Sequence, residues 1–452
     1  MVKAKFAKIV KRDGSLVPFD QERITESIYR AAVEVGGRDR EMADLIASEV
    51  VMNLNKMVKK EDDFPTVEEI NDMIEKILIE RGHARTSRAF ILHRNKMDQL
   101  QLKSLPNQAM VSGTIPYQKI WNILVWNLDH QCETIEKVNQ TVKDFDKFVK
   151  LMQICDKAYE EDVAAAASKV LKRIQDIKLV IVAGPSSSGK TTSTIKLEER
   201  IGAEGKSLKA INVDNYFFNL EMHPKDAYGD YDFETPQAID IALFNQHLND
   251  LVQGKEINSP IYDFKSGLRL EETIPVKLEK DEILLMDCLH GLYPEITAGL
   301  KDNQKFKLYI ETLAQQRDKS GYFVRWTDIR LLRRMIRDMQ FRHYQPEATL
   351  THWHYVRRSE MRHIIPHIHS VDHIINGALP YELPIHKAKL GHYFPEFVEK
   401  YKDDIDRQDA YLRADRVNKL FLEIEPATEE EIKAVGKKAL MREYIGGSDY
   451  TY

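Results

Sequence analysis

The segment that most constrains this chain runs from Leu179 to Thr192, Leu-Val-Ile-Val-Ala-Gly-Pro-Ser-Ser-Ser-Gly-Lys-Thr-Thr. A short apolar run feeds directly into G-x-x-x-x-G-K-[ST], and helical periodicity follows over about Lys190–Gly202. Glycines at 184 and 189 let the backbone turn tightly and approach an anion without a Cβ in the way. Successive amide N–H groups then face inward as a nest, and the helix that follows adds its positive end. Lys190 supplies a mobile point charge, and the Thr191 hydroxyl is a candidate metal ligand. Gly184, Ser186, Ser187, Ser188, Gly189, Lys190, Thr191 and Thr192 are therefore the candidate polyphosphate-binding residues. A strand, this loop and a helix in that order demand an α/β domain with a mostly parallel sheet.

The rest of the chain is read around that domain. Its 452 residues allow several domains, and 66 Lys+Arg against 71 Asp+Glu leave a net charge of −5. Such a balance gives no case for a nucleic-acid partner. No apolar run approaches the roughly 20 residues that span a membrane. The lysine-rich N-terminus has no secretion-type apolar stretch, and Cys132, Cys155 and Cys288 cannot make a disulfide framework. The expected location is the cytoplasm.

Four regions separate by pattern. Residues 1–97 open with a strand-like Phe6–Val10 and an Asp13-Gly14 turn. Amphipathic helices follow, one starting at Asp20 and one running from Val67 to a stop at Gly82. Residues 98–175 read as a helical connector. Residues 176–385 alternate strands and helices, with strands expected at Ile177–Ala183, Leu208–Val213, Ile283–Met286, Phe306–Ile310 and His373–Ile375. Residues 386–452 read as a charged helical extension.

Three further features fit phosphate chemistry. Asp287 ends an apolar strand at the carboxyl edge, where open α/β sheets bind ligands, and can hold Mg²⁺. Asp214 ends another such segment and can accept a proton from an attacking hydroxyl. Arg330, Arg334 and Arg337 share one face of a helix, with Arg333 alongside and Arg342 beyond, and clustered guanidiniums suit charge that develops on a phosphoryl group.

Residues 176–385 resemble the uridine kinase/phosphoribulokinase family of P-loop kinases. The match runs through the phosphate loop, Asp214-Asn215-Tyr216-Phe217, Phe233-Glu234-Thr235-Pro236, Pro260-Ile261-Tyr262-Asp263-Phe264, Asp287-Cys288 and Arg333-Arg334-Met335-Ile336-Arg337-Asp338. The resemblance implies ATP and Mg²⁺, with Asp214 as general base and Glu234 accepting from a sugar hydroxyl. It also implies Tyr262 against the substrate base, and Arg334, Arg337 and Arg342 facing phosphate from a lid helix. Departures are clear. Gly267 stands where the family's pyrimidine-reading histidine would be, Glu234 replaces an Asp, and Tyr344 replaces a later arginine. Thr351, Trp353, Val356-Arg357-Arg358 and Glu360, with the tail Arg442–Ser448, resemble a bacterial uridine kinase-like branch.

Residues 1–97 resemble the ATP-cone, a regulatory nucleotide-binding module. Val10-Lys11-Arg12-Asp13-Gly14, Phe19-Asp20, Arg23-Ile24 and Ala89–Arg94 carry that resemblance, which implies that Val10, Lys11, Arg12 and Arg23 meet a regulatory adenine nucleotide. It is compatible with homo-oligomer formation. The expectation is phosphoryl transfer to a small molecule, with a nucleoside 5′-hydroxyl the leading acceptor. A sugar phosphate or glycerate-type acceptor is the alternative, and a non-catalytic nucleotide sensor the third reading. Seven histidines between His343 and His373 lack metal-ligand spacing and read as surface or substrate-facing groups.

Overall fold

The structure, a computed structural model, describes residues 4–11, 16–58, 64–83, 85–87, 89–91, 115–224, 231, 234–404 and 407–451. These fall into two compact units, the described parts of Met1–Ile115 with Phe397–Leu412, and of Pro116–Glu396 with Arg413–Tyr452.

In the first unit, β1 (Lys8–Val10) pairs antiparallel with β2 (Leu16–Pro18), a strand too short for its alternation to be read. Helices Gln21–Glu34, Arg40–Met57 and Val67–Glu80 follow. Asp20 caps the first as expected, accepting the Glu22 N–H at 3.0 Å. Thr66 and Glu69 form a reciprocal capping box on the third. Ile24, Ile28, Val50, Leu54, Ile74 and Ile77 make the shared core. The turn residues Arg12, Asp13 and Gly14, and Leu92-His93-Arg94, lie outside the described residues.

The second unit is built on five parallel strands. In chain order they are β3 (Leu179–Ala183), β4 (Ser207–Ala210), β7 (Glu282–Cys288), β8 (Lys305–Glu311) and β9 (His373–Asn376), arranged β4-β7-β3-β8-β9. Every residue of central β3 is buried, which is why its run is uniformly apolar rather than alternating. The segment expected as one strand over Leu208–Val213 leaves the sheet early. Ile211 still donates to the Leu285 carbonyl at 2.9 Å. The Asn212 side chain then accepts the Asp214 N–H at 3.0 Å, and a short 3-10 turn carries Val213–Tyr216 out over the sheet edge.

Strands β5 (Ile257–Asp263) and β6 (Leu268–Val276) form a separate antiparallel hairpin with a register shift between Pro260 and Tyr262. The P-x-Y-D-F segment is thus mostly strand. Gly267 closes its turn at φ +71°, donating to the Asp263 carbonyl at 2.8 Å and accepting from Leu220 at 2.8 Å.

Residues 116–175 of the expected connector belong to this unit. Helix Phe145–Lys172 packs on the helix after the phosphate loop, where Tyr159 Oη lies 2.7 Å from Ser193 Oγ and Glu160 pairs with Lys196 and Arg200. On its other side Asp162 accepts the Asn376 N–H at 2.8 Å. Among the described residues no helix is long and apolar enough to cross a membrane.

Candidate active site

The loop after β3 has the form its residue types require. A Cβ on Gly184 would collide with the Ile310 carbonyl oxygen, and Gly189 sits at φ +100°. Ser187 takes a left-handed φ of +59° without being glycine, a local strain that the surrounding packing has to hold. Among the described residues, the Ser187 and Ser188 hydroxyls are buried without a protein hydrogen-bond partner. Buried polar groups left unpaired around a tight nest fit a polyphosphate that would supply the acceptors. Lys190, opening helix Lys190–Ala203, reaches back to the Pro185 carbonyl at 3.4 Å.

Three charged side chains converge beneath the loop. Asp287 lies on β7, which pairs directly with β3, so Asp287 stands opposite Val182. Burial pushes its carboxyl up to about 6, with Lys190 pulling it down and Glu443 and Asp214 adding to the rise. Asp214 is open to solvent on one side, yet the protein bulk around its carboxyl raises it above the usual range, against the pull of Lys190 and Arg342. Lys190 thus acts on both acids, and Asp214 acts on Asp287. Thr191 is the second residue of helix Lys190–Ala203, and its hydroxyl and the Asp287 carboxylate are oxygen ligands of the kind Mg²⁺ takes.

The arginine helix, Trp326–Arg342, divides its charges. Arg334 faces the site, donating to Ser186 Oγ at 3.2 Å and Glu234 Oε1 at 3.3 Å. Arg337 and Arg342 gather with it around the buried Asp338, at 3.1 Å and 3.4 Å. Arg330 and Arg333, grouped with these in the sequence, are bound elsewhere. Arg330 lies 2.9 Å from Glu311 and is paired with Glu360. Arg333 is fully buried, donates to Glu382 at 2.6 Å, and reaches the Gly377 and Ser188 carbonyls. These two brace the loop from behind, because a buried guanidinium demands its own carboxylate. The i, i+4, i+7 pattern identified the helix, and only the tertiary partners show which arginines remain available.

Tyr262 belongs to an aromatic group with Phe217 at 5.6 Å, Phe264 at 5.0 Å and a nearly parallel His223 ring at 6.4 Å. The contribution of His223 has no local sequence signal. The histidine-rich segment is dispersed: His373 pairs with Asp162, His363 packs on the buried His290, and His354 and His369 lie against backbone carbonyls. Among the described residues no group of three or more His, Cys, Asp or Glu side chains is placed to hold a metal.

Of the cone residues, Val10 donates its N–H to the Pro65 carbonyl at 3.0 Å. Arg23 is exposed, 3.8 Å from Asp20. Lys11 follows β1 and is exposed, and Arg12 lies outside the described residues.

Comparison with known proteins shows what the two regions of the chain are similar to. Residues 179–381 match the family model "Phosphoribulokinase / Uridine kinase family", and residues 7–99 match the ATP cone domain. The chain is 30% identical to a uridine kinase of Deinococcus deserti over 43% of its own length and 84% of that protein. It is 31% identical to uridine-cytidine kinase B of Dictyostelium discoideum over 38% of its length, spanning 63% of that relative. Among solved structures, D-glycerate 3-kinase from Cryptococcus neoformans aligns with a TM-score of 0.32 at 14% identity, over 46% of this chain and 89% of that one.

Proposed function

Because this chain belongs to the phosphoribulokinase/uridine kinase family, we propose that it transfers the terminal phosphoryl group of ATP to the 5′-hydroxyl of a nucleoside. The observation that carries this reading is the shared electrostatic environment of Lys190, Asp214 and Asp287 under a phosphate nest with unsatisfied hydroxyls. Asp214 takes the acceptor hydroxyl's proton. Its raised affinity for protons suits a base that works near neutral pH. Lys190 holds the terminal phosphates. Arg334, Arg337 and Arg342 balance the charge that spreads over the transferring group. Thr191 and Asp287 are the residues that would hold Mg²⁺, which when bound neutralises phosphate charge. Glu234, oriented by Arg334, accepts from a sugar hydroxyl, and Tyr262 with its aromatic neighbours offers a face for a planar base.

Gly267 supports a second reading, with a sugar phosphate or glycerate-type acceptor. Its turn offers no side chain to read a pyrimidine edge, and loss of a buried hydrogen-bonding partner removes discrimination. In either case the N-terminal ATP-cone binds an adenine nucleotide through Lys11, Arg12 and Arg23 and biases the kinase, a coupling that is reciprocal in binding terms.

The test is acceptor-dependent ADP release by the full chain across nucleosides, sugar phosphates and glycerate. Turnover with a nucleoside supports the first reading. Turnover only with the other acceptors supports the second. ADP release with none of them leaves a nucleotide-binding regulator.

A further inference from the structure

The C-terminal tail lies outside the residues that match the kinase family, yet it returns to the phosphate loop. Glu443 Oε2 accepts both the Thr192 N–H at 3.1 Å and the Thr192 hydroxyl at 2.6 Å. Tyr444 Oη donates to the Ser187 carbonyl at 3.2 Å, and Leu440 packs so closely on Gly189 that a Cβ there would lie 2.7 Å away. The tail is fixed in this position. Arg442 donates to the carbonyls of Lys433 at 3.0 Å and Gly446 at 3.2 Å. Tyr450 donates to Glu199 at 2.8 Å, with Lys196 5.2 Å from its ring centroid.

Beside these contacts lies a cleft of about 400 Å³. Thr191, Arg337, Phe341 and Arg342 form one side, and the Gly446-Gly447-Ser448 turn and Tyr450 form the other. Its size is in the range of small-molecule sites. A nucleotide whose terminal phosphates sit in the nest at Lys190 must lead its nucleoside end away through connected space, and this cleft begins at the next residue, Thr191. Cationic Arg337 and Arg342 suit the phosphate end, while the exposed Phe341 ring offers a stacking face to a base.

We infer that the tail Arg442–Tyr450 completes the donor-nucleotide site, with Tyr450 walling the nucleoside end and Glu443 competing with the donor's phosphates for Thr192. This rests on the kinase reading above. One N–H and one hydroxyl cannot serve both a carboxylate and a phosphate oxygen, and the two anions repel each other. Donor binding therefore turns the Glu443 side chain out of the nest while the tail backbone stays as the wall. Glu443 and Tyr450 thus affect donor binding in opposite directions.

The test uses the full chain and reads KM for ATP and the inhibition constant of inorganic triphosphate, which has the phosphates but no nucleoside, in acceptor-dependent ADP release. Glu443→Gln keeps the shape and removes the charge, so both constants fall about five- to tenfold, the scale of one like charge removed from a partly screened site. Tyr450→Ala raises KM for ATP by about three- to tenfold, as for a lost aromatic wall, and leaves the triphosphate constant unchanged. The unchanged triphosphate constant also reports that the loop is still folded. Both constants unchanged or raised in Glu443→Gln, or ATP and triphosphate shifted alike in Tyr450→Ala, overturns the inference while the kinase reading stands. A wild-type chain that releases no ADP with any acceptor overturns the kinase reading itself.

Discussion

Replacing Asp214 by Asn tests the chemistry at its centre. The substitution keeps size and shape, and the backbone N–H of residue 214 still donates to Asn212, so the 3-10 turn survives. It removes the proton acceptor. General-base catalysis contributes roughly 10²–10⁴-fold, so turnover falls by about that factor, or ~3–5 kcal/mol of barrier. Lys190 and the loop are untouched, so KM for ATP changes little. A second effect appears in the pH profile. Burial raises the Asp287 carboxyl to about 6, and Glu443 and Asp214 are the two acids that add to that rise. Both aspartates act deprotonated, and burial raises both, so wild-type activity is lost as pH falls through about 6 rather than about 4. The two apparent values belong to the coupled pair. In Asp214→Asn the residual activity has an acid limb shifted downward, because Asp287 has lost a like-charged neighbour. The assay is acceptor-dependent ADP release between pH 5 and 8. Turnover within tenfold of wild type across that range refutes Asp214 as the base, and an unmoved acid limb refutes the shared electrostatics.

Three other outcomes follow from particular contacts. Arg333→Met leaves Glu382 buried without its cation, so stability falls by about 3–5 kcal/mol, read from the denaturant midpoint. Gly267→Ala puts a Cβ at φ +71° and 3.0 Å from Leu220 Cβ, so the β5–β6 hairpin loses about 1 kcal/mol or more, seen as faster amide exchange there. In the first unit, Lys11→Ala with Arg23→Ala lowers the number of adenine nucleotides bound per chain from two to one in equilibrium dialysis. Two retained sites would remove these residues from the cone's nucleotide site.

What the sequence made legible was local. The phosphate loop needs only eight consecutive residues, and five apolar runs located the five parallel strands, the run over 208–213 overshooting the end of β4 at Ala210; central β3, buried throughout, cannot disguise its composition. Asp20 as a cap and the arginine helix were likewise visible from short-range spacing. What escaped depends on contacts distant in sequence. Strand β5 hides in a mixed segment interrupted by Pro260, and its partner β6 is largely exposed. Arg330 and Arg333 looked equivalent to Arg334 until Glu311, Glu360 and Glu382 claimed them from other elements. Glu443 is 251 residues from Thr192, and nothing in the tail's own spacing marks it as a partner of the loop.

The most direct measurement is a crystal structure of the full chain with a non-hydrolysable ATP analogue, Mg²⁺ and the acceptor identified by the ADP-release screen. The account predicts the terminal phosphate between Lys190 and the acceptor hydroxyl, with that hydroxyl within about 2.6–3.2 Å of an Asp214 carboxylate oxygen. A terminal phosphate lodged in the loop with Asp214 facing away from the acceptor, too far to share its proton even through a water, would contradict it.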